Sequence, residues 1–187
     1  NPYDTSSRIC NGVQSSWDTA YYNGNYYCYY GVVPAILFFV PYKLMTGNPL
    51  QPNIVVLISY CFYLIFLNLA FIKIIRYRFT SFSFGIEFLS MIILDAATNI
   101  FYFSTEPSFY IMLYSTGLFF VALGMYFFTI WYTQKRNKIL LFLGALSLSL
   151  AVGCRPPLLL YTLLIIPFGI SYIKKARAKS IPDMIIL

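Results

Sequence analysis

The sequence predicts an all-α fold: a polytopic transmembrane helix bundle of about five spans plus an outer loop with an interfacial helix. Three observations predict it. Of 187 residues, 59% are hydrophobic and only 10% charged, with a mean hydropathy of +0.70, whereas a soluble domain carries roughly a quarter charged residues. Five apolar runs approach or exceed the roughly 20 residues that cross a bilayer as a helix. Ten of the 13 basic residues fall in three clusters that end or join those runs. The runs are uniformly apolar, unlike the short alternating segments of a transmembrane barrel.

The elements follow in order. Residues 1–51 form the outer loop, and residues 1–30 of it are polar and rich in Tyr, Asn, Gly and Ser. Residues 31–47, GVVPAILFFVPYKLMTG, are apolar but interrupted by Pro34 and Pro41. A full span there would send the next run the wrong way relative to IIRYR. A helix lying in the outer interface, or dipping in and returning, is therefore expected. The spans are placed at about 52–75, 82–103, 108–132, 138–154 and 156–173, the fourth being short. Residues 52–187 thus make the bundle.

Lys73, Arg76 and Arg78 close the first run, Lys135, Arg136 and Lys138 join the third to the fourth, and Lys174, Lys175, Arg177 and Lys179 follow the fifth. This is the positive-inside pattern. It puts residues 1–51, the FSTEPS turn and GCRPP on the outer side. The net charge of +7 is explained by these clusters, with membrane lipids as their partners and no nucleic acid. Asn1, the polar start and the closing IPDMIIL are what an internal piece of a longer multi-pass protein would show. No internal repeat or soluble domain is visible.

The chain has no His, which removes His-ligated metals, Ser-His-Asp and Cys-His chemistry and a histidine base. No Walker A, GxGxxG or CxxC spacing occurs. The unusual polar groups collect on the outer side. Only Arg8, Lys43 and Arg155 are basic there, and three cations on the face that normally excludes them suggest an anionic ligand such as phosphate. Arg155, in AVGCRPPLLLY, is the sharpest of them. Pro156 and Pro157 suit the first turn of the next helix, which would hold Arg155 at a helix N-terminus, where an anion is favoured.

The stretch WDTAYYNGNYYCYYG holds six tyrosines in ten residues. It reads either as an interfacial aromatic belt or as stacking and hydroxyl contacts around a sugar, with Tyr21, Tyr22, Tyr26 and Tyr27 as candidates. Asp4 and Asp18 are the candidate general bases. Asp18 would supply a carboxylate for a hydroxyl or for a divalent metal, the cofactor this reading allows without requiring. Glu87 and Asp95 stand eight residues apart, near two helical turns and so on one face. Asp95 is expected to face the bundle near the site, and Glu87 to reach the inner interface. Cys10 and Cys28 are both outside and close enough in sequence to pair, while Cys61 and Cys154 are expected to stay free.

NPYDTSSR, the YYNGNYY–GVVP–PY–TG run and the later GCRPPLLL resemble the membrane-embedded GT-C glycosyltransferases, in the bacterial branch related to protein mannosyltransferases and lipid A aminoarabinose transferases. The resemblance implies a first span, a long outer loop with interfacial helices and a bundle of further spans in the bacterial plasma membrane. It implies transfer of a sugar from a polyprenyl-phosphate donor to an acceptor at the cell envelope. An early outer-loop Asp would act as base or metal ligand, and that motif would lie upstream of Asn1, with Asp4 a later loop carboxylate. Lys43 falls where relatives carry a phosphate-contacting base, and Arg155 matches the Arg-Pro pattern at an outer helix start. A transporter or flippase of a lipid-linked glycan would want similar groups, but normally shows paired half-structures. A non-catalytic membrane scaffold is the third reading.

The topology is directly testable. In a cysteine-free background, Cys placed at Thr80, Asn137 or Ser180 should resist an impermeant thiol reagent in intact cells, and Cys at Ser6 or Ser104 should label. The reverse pattern would invert the orientation and remove the outer site.

Overall fold

A computed structural model describes residues 19–23, 25–28, 31–79, 81, 83–98, 108–135 and 137–170. It divides into two compact units, residues 1–30 and residues 31–187.

In the first unit, strands β1 (Thr19–Tyr22) and β2 (Asn25–Cys28) form an antiparallel hairpin. Asn23 has φ 48° and is followed in sequence by Gly24. Asn-Gly between two β-prone runs is the strongest short-range hairpin signal, because a two-residue turn needs positive φ. The sequence reading expected a loop here; residues 19–22 and 25–28 instead pair as a two-stranded ribbon. Position 21 stands opposite 26, and 22 opposite 25.

The second unit is helical among its described residues. Helix α1 spans Ala35–Thr46 and opens with a wide π-helical turn over Ala35–Phe39, in which the Val40 N–H reaches back to Ala35 O. That turn lies just before Pro41, whose ring would clash with the carbonyl of an ordinary α-turn. Gly47, at φ 73°, ends the helix in the left-handed conformation, as glycine readily does. Helix α2 runs Pro52–Arg78 and α3 Phe84–Ala96. Helix α4 covers Phe109–Ile130 and continues as a π-helical turn over Trp131–Lys135. Helix α5 is Lys138–Cys154, and α6 is Pro156–Ile170, tightened to a 3-10 helix over Pro156–Leu164.

Two of these helices are long and apolar enough to cross a membrane: Pro52–Arg78 and Phe109–Gln134. The other expected spans are shorter. Helix α3 has 13 residues, and the rest of the 82–103 run lies partly outside the described residues. Helix α5 has 17 residues.

Helix α4 is the centre of the bundle. It packs along α2 on one side and α5 on the other. The α2 seam is aromatic, with Phe62 and Phe66 against Phe119 at 5.7 and 6.1 Å between centroids and Phe66 against Tyr126 at 5.5 Å. Ser59 and Thr116 share a buried hydroxyl hydrogen bond of 3.2 Å across it. The α5 seam is glycine-lined. A Cβ on Gly144 would lie 2.7 Å from the Phe128 ring, and one on Gly124 would lie 3.1 Å from the Gly144 carbonyl oxygen. The backbones approach as closely as small residues allow. Phe120, Val121, Phe128, Leu148, Ala151 and Leu158 form the buried cluster around this contact. The outward faces of α2, α5 and α6 leave large apolar residues exposed, among them Leu57, Ile65, Phe142, Leu160 and Leu163.

Helix α3 attaches to α2 by a polar ladder. Asn68 Nδ2 donates to Asp95 Oδ1 at 2.8 Å. Arg76 donates through Nε and Nη2 to the two oxygens of Glu87 at 3.0 and 3.1 Å. Asn68 and Arg76 are eight residues apart on α2, and Asp95 and Glu87 eight apart in reverse order on α3, so the antiparallel helices meet in register at both rungs. The sequence reading expected Glu87 to reach outward to the interface; its side chain is turned to Arg76 instead. It is buried, and the guanidinium fork satisfies it.

Removing one partner of a buried ion pair costs about 3–5 kcal/mol, and the exposure of Arg76 reduces this to about 1–2 kcal/mol. Arg76→Gln strands a buried carboxylate, whereas Glu87→Gln leaves an arginine that can reach water. In detergent, Arg76→Gln should lower the melting temperature more than Glu87→Gln, and the double variant should melt above Arg76→Gln alone. Equal losses without recovery would mean that the rung carries no buried-charge cost.

Candidate functional site

The site is built where α5 ends and α6 begins. Arg155 is the one residue between them, with extended backbone at φ −153° and ψ 119°. Its N–H closes α5 on Ala151 O at 3.1 Å, and its carbonyl accepts from the Leu158 N–H at 3.0 Å. Pro156 and Pro157 fill the first turn of α6. The junction is thus fixed on both sides by backbone bonds, which aims the side chain.

Arg155 is half-buried, with its Cζ 5.5 Å from the centroid of the Tyr110 ring. Such a cation–π contact is worth about 0.5–2 kcal/mol, and it holds the guanidinium without neutralising it. Arg155 makes no ion pair among the described residues. Arg155, Tyr110, Ile111 and Tyr114 line a cavity of about 190 Å³. Tyr161 of α6 lies within electrostatic reach of Tyr114. Tyr63 of α2 lies within electrostatic reach of Tyr114, Tyr161 and Asp95. A small aromatic, hydroxyl-bearing cleft therefore opens beside a cation that has no acidic partner among the described residues.

Glycines place the start of the second unit over this junction. A Cβ on Gly31 would overlap the carbonyl of Gly153 and lie 2.5 Å from that of Cys154, and one on Gly153 would lie 2.7 Å from Val33 Cγ2. The chain entering α1 is pressed onto the last turn of α5, one residue before Arg155.

The sequence reading expected the α6 N-terminus to help hold an anion. The geometry removes most of that help. Pro156 and Pro157 carry no N–H, and the Leu158 N–H is already used. The anion would be held by the guanidinium and by tyrosine hydroxyls. The α5 C-terminus, whose dipole favours a cation, stabilises Arg155 itself.

Lys43 sits exposed in the last turn of α1, and its side chain has no hydrogen bond or ion pair among the described residues; nothing ties it to Arg155. Asp95 is half-buried and engaged by Asn68. Of the hairpin tyrosines, Tyr22 is 73% exposed, and positions 21, 26 and 27 are described by their backbone register alone. Asp4, Arg8, Asp18 and Cys10 lie outside the described residues, and with them the candidate bases. Cys61 is free and exposed, Cys154 free and buried. No group of three or more His, Cys, Asp or Glu stands together among the described residues, so no metal centre is formed by them. As described, the cleft presents a guanidinium and tyrosine hydroxyls, and its lining holds no carboxylate.

Sequence reasoning missed Tyr110, Tyr114 and Tyr161. The available signal was the i, i+4 spacing of Tyr110 and Tyr114 at the head of an apolar run, which puts both on one helix face. Compared with protein-family models, curated proteins and solved structures, the chain matches none of them.

Proposed function

We propose that this chain belongs to a membrane glycosyltransferase that moves a sugar from a polyprenyl-phosphate donor to an acceptor on the outer face of a bacterial plasma membrane. The observation that carries the proposal is Arg155: a cation without an acidic partner among the described residues, held on Tyr110 at a helix junction, beside a cleft of tyrosines.

In this reading the chain spans the membrane about five times, with residues 1–51 outside and α1 in the outer interface. The exposed apolar faces of α2, α5 and α6 support it, since contiguous apolar surface of this kind suits lipid and not water. Length supports it for α6, because a 3-10 helix rises about 2.0 Å per residue against 1.5 Å for an α-helix, giving about 27 Å. Helix α5 at about 26 Å comes close to the roughly 30 Å hydrocarbon thickness.

The chemistry asks little of the protein. The acceptor hydroxyl attacks the anomeric carbon, the bond from that carbon to the phosphate oxygen breaks, and a carboxylate takes the hydroxyl proton. Polyprenyl phosphate is a workable leaving group, so the main need is charge stabilisation on the phosphate. Arg155 supplies this, with Lys43 and Arg8 as further cations. Asp4 or Asp18 is the candidate base, and hairpin tyrosines contact the sugar. Neither step needs His.

Arg155→Ala should lose a charge-assisted hydrogen bond of roughly 1.5–3 kcal/mol, or about one to two decades in kcat/KM. Arg155→Lys should recover part, since it keeps the charge without the planar fork. The assay is transfer from a polyprenyl-phosphate sugar by the purified full-length protein at varied donor concentration, with folding checked by monodisperse elution. Wild-type activity in both variants would make Arg155 an interfacial anchor. Glycan movement across vesicle bilayers without any transfer would favour the flippase reading instead.

The hairpin makes a sharper test of the tyrosines. Its register puts positions 21 and 26 on one face and 22 and 27 on the other. A sugar stacked on the ribbon should therefore feel one pair, at about 1–3 kcal/mol per stacked ring. Ala at Tyr21 and Tyr26 should lower transfer while Ala at Tyr22 and Tyr27 does not, or the reverse. Unchanged transfer across all four would leave the aromatic-belt reading.

A further inference from the structure

The other end of the bundle carries a second cleft. It lies between the last turn of α2, the π-helical turn that ends α4, and the far end of α6. Its volume is about 450 Å³, and Ile74, Tyr77, Arg78, Tyr132, Thr133 and Phe168 line it. Three aromatic rings form its wall. Tyr77 meets Tyr132 edge-on at 5.5 Å, and Tyr132 meets Phe168 edge-on at 6.1 Å. The Thr133 hydroxyl is turned back onto Thr129 O at 2.7 Å, so the lining is apolar apart from the tyrosine tips and Arg78.

The two arginines that end α2 divide their work. Arg76 points to α3 and is neutralised by both oxygens of Glu87. Arg78 is two residues on, and residues at that spacing do not share a face. It borders the cleft, is exposed, and has no hydrogen bond or ion pair among the described residues. An apolar cleft of a few hundred Å³ with one placed charge is the usual form of a small-molecule site. Here the charge is positive and lies on the side of the basic clusters, the face expected to meet the anionic inner leaflet.

We infer that this cleft holds an anionic phospholipid of the inner leaflet, with an acyl chain against Ile74, Tyr132 and Phe168 and the headgroup phosphate on Arg78. The inference rests on the membrane reading but not on the glycosyltransferase one, since the site is at the opposite end of the bundle from Arg155. The phosphate takes the charge that Glu87 leaves uncompensated. The π-helical turn presents Tyr132 and Thr133 to the cleft, and wide turns of this kind are frequent where helices bind something.

The test is native mass spectrometry of the delipidated chain in mild detergent, titrated with phosphatidylglycerol or with phosphatidylcholine of the same acyl chains. The wild type should prefer phosphatidylglycerol by about fivefold, the equivalent of one basic residue near an anionic headgroup. Arg78→Gln should abolish the preference and Arg78→Lys should keep most of it. Phe168→Ala should weaken both lipids and leave the preference intact. Lys138→Gln, which removes a basic residue outside the cleft, should change nothing, and millimolar inorganic phosphate should not displace the lipid. No preference in the wild type, an unaffected Arg78→Gln, an equal loss in Lys138→Gln, or displacement by phosphate would each overturn the site. A chain that stays in solution without detergent would overturn the membrane reading itself, and transfer activity in Arg78→Gln distinguishes this site from the outer one.

Discussion

The close approach of α4 and α5 at Gly124 and Gly144 is the contact on which the rest of the bundle depends. No other pair of described helices has glycines on both sides of its seam in this way. With the two backbones drawn together, Phe128 fills the space over Gly144, and the antiparallel register of the helices is fixed. That register decides what stands at the far end: the last residue before α6, Arg155, arrives over the first turn of α4, where Tyr110 lies. A side chain on Gly117 would collide with Leu158, so α6 is set by the same rule. The site is a consequence of backbone packing about two to four turns away, more than of any contact within it.

Polar groups inside such a bundle are costly unless paired, and the chain handles them by geometry. Ser and Thr hydroxyls turn back onto carbonyls of the preceding turn, as Thr129, Ser147 and Thr133 do. Carboxylates that face a neighbour meet a donor in register, as Asp95 meets Asn68 and Glu87 meets Arg76. The ladder gives α3, the shortest of the long-run helices, a definite position against α2 that its apolar side chains alone would not specify. It also changes what the two carboxylates are for. Each has a structural partner, Asn68 for Asp95 and Arg76 for Glu87.

Much of this was legible beforehand, and the reasons differ by element. Composition and basic clusters predicted helices and their approximate limits, because hydropathy responds to the whole run and tolerates errors of a few residues. The first and third runs became Pro52–Arg78 and Phe109–Gln134. The junction at Arg155 was readable because proline acts locally: it can open a helix and cannot continue one. The hairpin was missed although Asn23-Gly24 announced it, because the tyrosines around it drew the reading toward interfaces. The ladder was missed for another reason. Eight-residue spacing on one helix was visible for Glu87 and Asp95, but the matching spacing of Asn68 and Arg76 on another helix acquires meaning only once the two are known to be antiparallel neighbours. The tyrosines around Arg155 come from three helices, and no linear pattern carries that.

The two ends of the bundle also show why an arginine count is a poor guide to binding. Arg76 and Arg155 are both half of a close side-chain contact, yet they differ electrically. A carboxylate fork cancels the charge of Arg76, so its field does not extend beyond the pair. An aromatic face attracts Arg155 through a quadrupole, which weakens steeply with distance and does not cancel the positive charge. The cation–π contact of about 0.5–2 kcal/mol therefore does two things at once. It lowers the entropy that an anion would otherwise have to remove on binding, and it keeps available the charge that binds it. A residue held by a carboxylate would need that partner displaced first, at the cost of a buried unpaired acid. An arginine on a tyrosine needs no carboxylate displaced, and that is the physical difference between Arg155 and Arg76.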